Sequence, residues 1–139
     1  MMKGLTTNQV LKHPQAQGLP PRILVVDDDE DMRELIRIHL HGAGYDVVLA
    51  EDAVEAGHKV TERLPDLIIA DYKMPYMNGR DFIAALRADA TIPDLPVIFI
   101  TAMENVPDFA GQTFGFPLLA KPFRADELLD HVRTGLKLT

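Results

Sequence analysis

The chain has 139 residues, enough for one domain with a buried core, and its 47% apolar and 25% charged content is the balance of a soluble globular protein. A formal net charge of −7 and 14 singly scattered Lys and Arg argue against a nucleic-acid-binding face, which needs a basic patch to neutralise phosphates. The absence of cysteine excludes a disulfide framework and a thiolate metal site and points to a reducing, cytoplasmic setting.

The apolar runs are strand-sized, far short of the ~20 residues that span a bilayer, and nothing at the start resembles the apolar core of a signal peptide. Residues 1–21 are polar, broken by Pro14, Pro20 and Pro21, and read as a flexible N-terminal tail ahead of one domain over 22–139. From there strands alternate with helices. Ile23 to Val26 is continuously apolar, as a strand covered on both faces must be. The first helix puts Met32, Leu35, Ile36, His39 and Leu40 on one stripe, with Glu30 and Asp31 in the first turn and Gly42 and Gly44 as a left-handed stop.

A second strand is predicted over 46–50 and a second helix over 53–64, which Pro65 prevents from continuing. The third strand covers 67–70, the third helix 80–87, the fourth strand 97–100, the fifth 118–120 and the last helix 125–136. This βα alternation predicts a parallel sheet with helices on both faces and right-handed crossovers. Between Thr101 and Lys121 a fourth helix is due, yet the segment contains Pro107, Gly111, Gly115 and Pro117. Pro107 fits only a first turn, so this helix is predicted to be short, irregular or mobile.

In such a sheet the carboxyl ends of the strands open onto one edge, where ligands bind. Strand one ends in Asp27 and Asp28, strand three in Asp71, strand four in Thr101 and strand five in Lys121. Singly, each has an ordinary reading as a cap, a turn residue or a solvated charge, and Asp29 is expected to face solvent. Jointly they do not, because three adjacent carboxylates repel one another unless a cation relieves them. Hard oxygen ligands suit Mg²⁺ or Mn²⁺. A carboxylate beside such a metal is a candidate nucleophile toward phosphorus, with Lys121 and Thr101 placed to hold phosphoryl oxygens.

The segments Val25-Val26-Asp27-Asp28-Asp29, Asp71-Tyr72-Lys73-Met74-Pro75 with Gly79, Thr101-Ala102 and Lys121-Pro122-Phe123 closely resemble the receiver domain of two-component response regulators, over about residues 22–137. The resemblance implies a flavodoxin-like, doubly wound α/β sheet of five strands ordered 2-1-3-4-5. It implies that Asp71 is the phosphoacceptor, charged by a phosphohistidine on a sensor histidine kinase or a histidine phosphotransfer protein. Asp28, Asp71 and the backbone carbonyl of Lys73 would ligate Mg²⁺ directly, Asp27 through water. Lys121 would bridge Asp71 and the phosphoryl group, its bond to Pro122 would be cis, and the small Ala102 would leave the phosphoryl group room.

The sequence departs from that pattern in two places. Similar receivers carry Tyr or Phe three residues before the fifth-strand lysine, where this chain has Leu118; Phe114 and Phe116 have the wrong spacing to replace it. The expectation is a modified or missing threonine–aromatic switch beside intact phosphorylation chemistry. Lys73 and Met103 flank the expected path of attacking water and are bulky enough to obstruct it, which predicts a long-lived phosphoryl group.

Because the chain stops just after the last helix, the expected function is a stand-alone response regulator, not a dedicated enzyme. It would signal to a downstream protein target through the face of the fourth helix, fifth strand and last helix, as a monomer or weak dimer, without nucleic acid or membrane. Three alternatives stand beside this reading. One is a phosphorylation-independent interaction module on a receiver scaffold. A haloacid dehalogenase-type phosphatase needs a second Asp where Lys73 stands, and a flavin site needs a Ser/Thr/Gly-rich loop where the first acids stand.

Overall fold

The computed structural model describes residues 18–106 and 110–137. Five strands, β1 (Arg22–Val26), β2 (Asp46–Ala50), β3 (Leu67–Asp71), β4 (Val97–Ala102) and β5 (Leu118–Lys121), form one parallel sheet in the order β2-β1-β3-β4-β5. Helices α1 (Glu30–Gly42), α2 (Ala53–Glu62), α3 (Gly79–Ala88) and α4 (Ala125–Lys137) connect or follow them. The order 2-1-3-4-5 is the one implied by the resemblance. The strands run up to one residue longer at their ends than their apolar runs, except β4, which continues through Thr101 to Ala102.

Strict side-chain alternation splits the core into two layers. Leu24, Val26, Ile68, Ala70, Val97 and Phe99 face one side and pack with Ala56 and Val60 of α2 and Phe82 and Ile83 of α3. Ile23, Val25, Leu67, Ile69, Ile98 and Ile100 face the other and pack with Ile36 and Leu40 of α1 and Leu128 and Val132 of α4. Each large aliphatic side chain so buried is worth about 1.5–3 kcal/mol relative to exposure. That energy fixes the register, and the register in turn fixes what stands at the strand ends.

Helix boundaries show where local chemistry acts. Asp29 caps α1, its side chain accepting from the amides of Asp31 and Met32, and Glu30 and Asp31 occupy the first turn as expected. The apolar stripe of α1 is narrower than predicted: Leu35 is 42% exposed, and Ile36 and Leu40 are the buried pair. Gly44, with φ +94°, supplies the left-handed stop, whereas Gly42 closes the helix itself and has no such angle. Helix α2 ends at Glu62, two residues before the predicted limit, because Arg63 is already extended ahead of Pro65.

The fourth helix of the expected pattern is replaced, among the described residues, by two short 3₁₀ turns, Met103–Asn105 and Ala110–Thr113. Pro107, assigned to a first helical turn, lies outside the described residues, as do residues 1–17 of the predicted tail. No helix among the described residues is long and apolar enough to cross a membrane.

Candidate functional site: a carboxylate cluster at the carboxyl edge of the sheet

All four strand-end motifs arrive at the same edge because the strands are parallel and in register. Val26 pairs with Ala70, Asp71 with Ile100 and Ala102 with Lys121. Asp27 and Asp28 follow β1, Asp71 closes β3, Thr101 lies near the end of β4, and Lys121 closes β5. The sequence places these residues at strand ends; the sheet order makes the central strands β1 and β3 neighbours and so brings their acids together.

One carboxylate oxygen from each of Asp27, Asp28 and Asp71 lies within 4.8 Å of the others. Asp27 is fully buried and Asp71 nearly so, while Asp28 is exposed. Lys121 Nζ donates to Asp27 Oδ2 at 3.0 Å and to Asp71 Oδ2 at 3.3 Å. Two further donors reach the acids from the backbone. The Asp29 amide bonds Asp27 Oδ1 at 2.9 Å, and the Lys73 amide bonds Asp71 Oδ1 at 3.3 Å.

Burial, and then the neighbouring charge of Asp27, push the Asp71 carboxyl up to about 6, although Lys121 and the Lys73 amide pull the other way. Burial alone would lower the Lys121 ammonium; Asp27 and Asp71 outweigh it and hold the group above its ordinary value. One lysine shared between two carboxylates, with a third alongside, leaves the cluster short of positive charge. A divalent cation fits that shortfall, and the donor set, all carboxylate oxygen, is the one Mg²⁺ and Mn²⁺ prefer.

Thr101 is fully buried, and its hydroxyl has no hydrogen-bond partner among the described residues. A buried hydroxyl left unpaired costs roughly 1–3 kcal/mol.

The surrounding residues show why the edge has this shape. Gly79 opens α3 with its amide on the Tyr72 carbonyl at 2.9 Å, and a Cβ there would fall 2.1 Å from the carbonyl oxygen of Asp71. Asn78 caps the helix by accepting from the Asp81 amide. The Lys121–Pro122 peptide is cis, as expected. Lys73 is exposed and Met103 is 67% exposed. Ala102 is half-buried at the end of β4.

Leu118 pairs with Phe99 and joins the core beside Phe114 and Phe116. These two rings are held under cations, Arg80 and Arg87 over Phe114 and Arg87 also over Phe116, at 4.9–5.5 Å. Phe116 also tilts against Phe99, and Phe99 meets Tyr72 edge-on at 5.4 Å.

Two contributors carried no sequence signal. Arg33 on α1 donates to the Asp27 carbonyl at 2.6 Å, and Tyr72 donates its hydroxyl to the Gln112 carbonyl at 3.1 Å. A lone arginine in a helix and a tyrosine after a strand are ordinary surface residues until the tertiary fold supplies an acceptor.

The profile of the response regulator receiver domain matches residues 23–133. The response regulator MprA of Mycobacterium sp. (strain KMS) is 41% identical over 123 residues, covering 87% of this chain and 53% of that protein. The DNA-binding dual master transcriptional regulator RpaA of Synechocystis is 37% identical over 121 residues, 86% of this chain and 50% of its own length. The chain thus spans about half the length of these relatives. Among solved structures, the chemotaxis protein CheY4 of Vibrio cholerae superposes with a TM-score of 0.77 at 30% identity, over 84% of this chain and 99% of that one. The receiver domain of the Francisella response regulator 1452 does so with 0.74 at 30%, over 85% and 98%. With the profile spanning most of the chain, the chain belongs to the response regulator receiver family.

Proposed function

We propose that the domain is a Mg²⁺-dependent phosphoacceptor whose acceptor is Asp71. The observation that carries this reading is the convergence of three carboxylates within 4.8 Å, with Lys121 shared between Asp27 and Asp71. An Oδ of Asp71 attacks the phosphorus of a phosphohistidine on a sensor histidine kinase or a histidine phosphotransfer protein. The P–N bond breaks, its electron pair stays on the imidazole, and the acyl phosphate forms on Asp71.

A divalent cation at Asp27, Asp28 and Asp71, with the Lys73 carbonyl, would neutralise phosphoryl charge and align the group for in-line transfer. Lys121 is positioned to trade part of its bond to Asp71 for a phosphoryl oxygen. The Thr101 hydroxyl then acquires the acceptor it lacks. Ala102 offers no side-chain bulk against the incoming group.

In this reading the protein is not a dedicated enzyme, works in the cytoplasm, and signals by binding a downstream protein, independently of nucleic acid and membrane. Lys73 and Met103, both exposed, would obstruct attacking water and lengthen the life of the acyl phosphate. The phosphorylation-independent alternative rests on the 3₁₀ turns that stand where a fourth helix is expected, whereas the assembled acids, hydroxyl and lysine favour the phosphoacceptor.

Intact-mass analysis after incubation with a small phosphodonor, with and without Mg²⁺, tests the proposal. A single Mg²⁺-dependent phosphoryl addition that Asp71→Asn abolishes supports it. No addition under conditions where Mg²⁺ binds would reassign the domain as a receiver-shaped interaction module.

A further inference from the structure

Asp28 is the exposed acid of the cluster, and its side chain takes no hydrogen bond or ion pair among the described residues. Its carboxylate oxygen nevertheless lies within 4.8 Å of those of the buried Asp27 and Asp71. What holds it there is the backbone on either side. The peptide that follows Asp28 is pinned by the Asp29 amide, which donates to Asp27 Oδ1 at 2.9 Å. The peptide that precedes it is pinned by Arg33, whose guanidinium donates to the Asp27 carbonyl at 2.6 Å.

Arg33 reaches this carbonyl because helical side chains lean toward the helix N-terminus, and α1 begins only at Glu30. A cation near the start of a helix opposes the dipole, which favours the acids Glu30 and Asp31 there. Nor does Arg33 join the ion pairs of the cluster among the described residues; Lys121 makes those, with Asp27 and Asp71. The guanidinium is committed to the loop backbone, and a charged donor holds a carbonyl more firmly than a neutral one does.

We propose that Arg33 is a positioning residue for cation binding: by locking the Asp27 carbonyl it fixes the peptide from which Asp28 projects, and so aims the Asp28 carboxylate at Asp27 and Asp71. The inference rests on the phosphoacceptor reading, which assigns a divalent cation to these three acids. Two effects of Arg33 oppose each other. Its positive charge beside the cluster by itself disfavours a second cation, whereas its bond to the loop holds a ligand in place. The sign of the change on removing it tells which effect wins.

Mn²⁺ affinity of the unphosphorylated full-length chain, read from the electron paramagnetic resonance signal of free Mn²⁺, supplies the test. Arg33→Met should bind Mn²⁺ roughly tenfold more weakly, the low end of what loss of an outer-shell partner costs a metal site. Arg33→Lys, which keeps a charged donor of similar reach, should hold near the wild-type affinity. Arg37→Met removes the same charge from the same helix, but its partner is Glu34, so it should bind Mn²⁺ no worse than wild type. Where Arg33→Met fails to fold, Arg33→Gln removes the charge and leaves only a short donor; weaker binding again supports the proposal. Binding by the Arg33 variant as tight as wild type or tighter would overturn it, as would an equal weakening in Arg37→Met. A wild-type protein that binds no Mn²⁺ would overturn the cation reading and this inference with it.

Discussion

A Cβ placed on Gly79 would lie 2.1 Å from the backbone carbonyl oxygen of Asp71. No rotamer relieves that contact, because both partners are backbone. Gly79 therefore sets how closely the first turn of α3 approaches the end of β3, and with it the position of the Asp71 carboxylate. Gly79→Ala is expected to lose roughly 1–3 kcal/mol of stability, the usual cost of overpacking. It should also slow phosphorylation by a small phosphodonor more than Gly57→Ala, where a Cβ meets nothing within 4 Å. Urea titration and phosphorylation rates of the two variants make the comparison; equal behaviour would show that α3 simply moves away.

Asp71 gives a pH prediction with a definite sign. Its carboxyl stands near 6 in the folded protein against an ordinary 3.8, through burial and the charge of Asp27. The folded state thus holds this proton more tightly than the unfolded chain does. Its contribution to stability is complete below about pH 4 and is lost as the pH rises through 6. Asp71→Asn removes that loss, so the variant should gain on wild type between these limits and level off at an advantage of roughly 1–2 kcal/mol near neutrality. Adding Mg²⁺ at pH 7 should raise the wild-type melting temperature and narrow the gap. Melts of both proteins from pH 4 to 7.5, with and without Mg²⁺, would reveal an error of sign as an Asn variant that is weaker throughout.

How much of this could be read from the sequence differs between the strands and what lies between them. The strands were legible because burial on both faces forces unbroken apolar runs such as Ile23–Val26 and Leu67–Ala70, and the acids and lysine that end them stand out against that background. The proximity of Asp27 to Asp71 followed from the family's strand order, since composition alone does not say which strands are neighbours. Leu35 illustrates a miss: helical spacing placed it on the buried stripe, but the sheet covers only the width of Ile36 and Leu40. The Thr101–Lys121 interval was legible only as trouble. Its prolines and glycines predicted irregularity, while the contacts that organise it, Tyr72 on Gln112 and the arginines over Phe114 and Phe116, join residues far apart in sequence.

Tyr72 follows Asp71 directly, and its hydroxyl is a fixed link to the 3₁₀ turn before β5, through the Gln112 carbonyl at 3.1 Å. Tyr72→Phe keeps the edge-on packing against Phe99 and removes that bond alone. The expected cost is about 1 kcal/mol, the net worth of one partly buried hydrogen bond. Amide exchange should quicken at Thr113 and Phe116 while the β1 and β3 amides stay protected. Hydrogen exchange followed by mass spectrometry distinguishes this local loosening from a global loss, in which all segments would speed up together.

Thr101 separates stability from function. Its hydroxyl is buried and has no partner among the described residues, so in the unphosphorylated protein it is a net cost, carried by a side chain whose methyl group packs as valine's would. Thr101→Val should therefore raise the unfolding free energy, by about 1 kcal/mol, because the orphaned polar group goes and the volume stays. If Thr101 donates to a phosphoryl oxygen as proposed, the same change should slow phosphoryl transfer to Asp71, whereas Thr101→Ser should keep the rate and lose stability through the deleted methyl. Opposite movements of stability and rate in the valine variant are the signature of a residue kept for its ligand. A valine variant less stable than wild type would mean that the hydroxyl already has a partner in the resting protein, such as an ordered water, and that its role at the edge is structural.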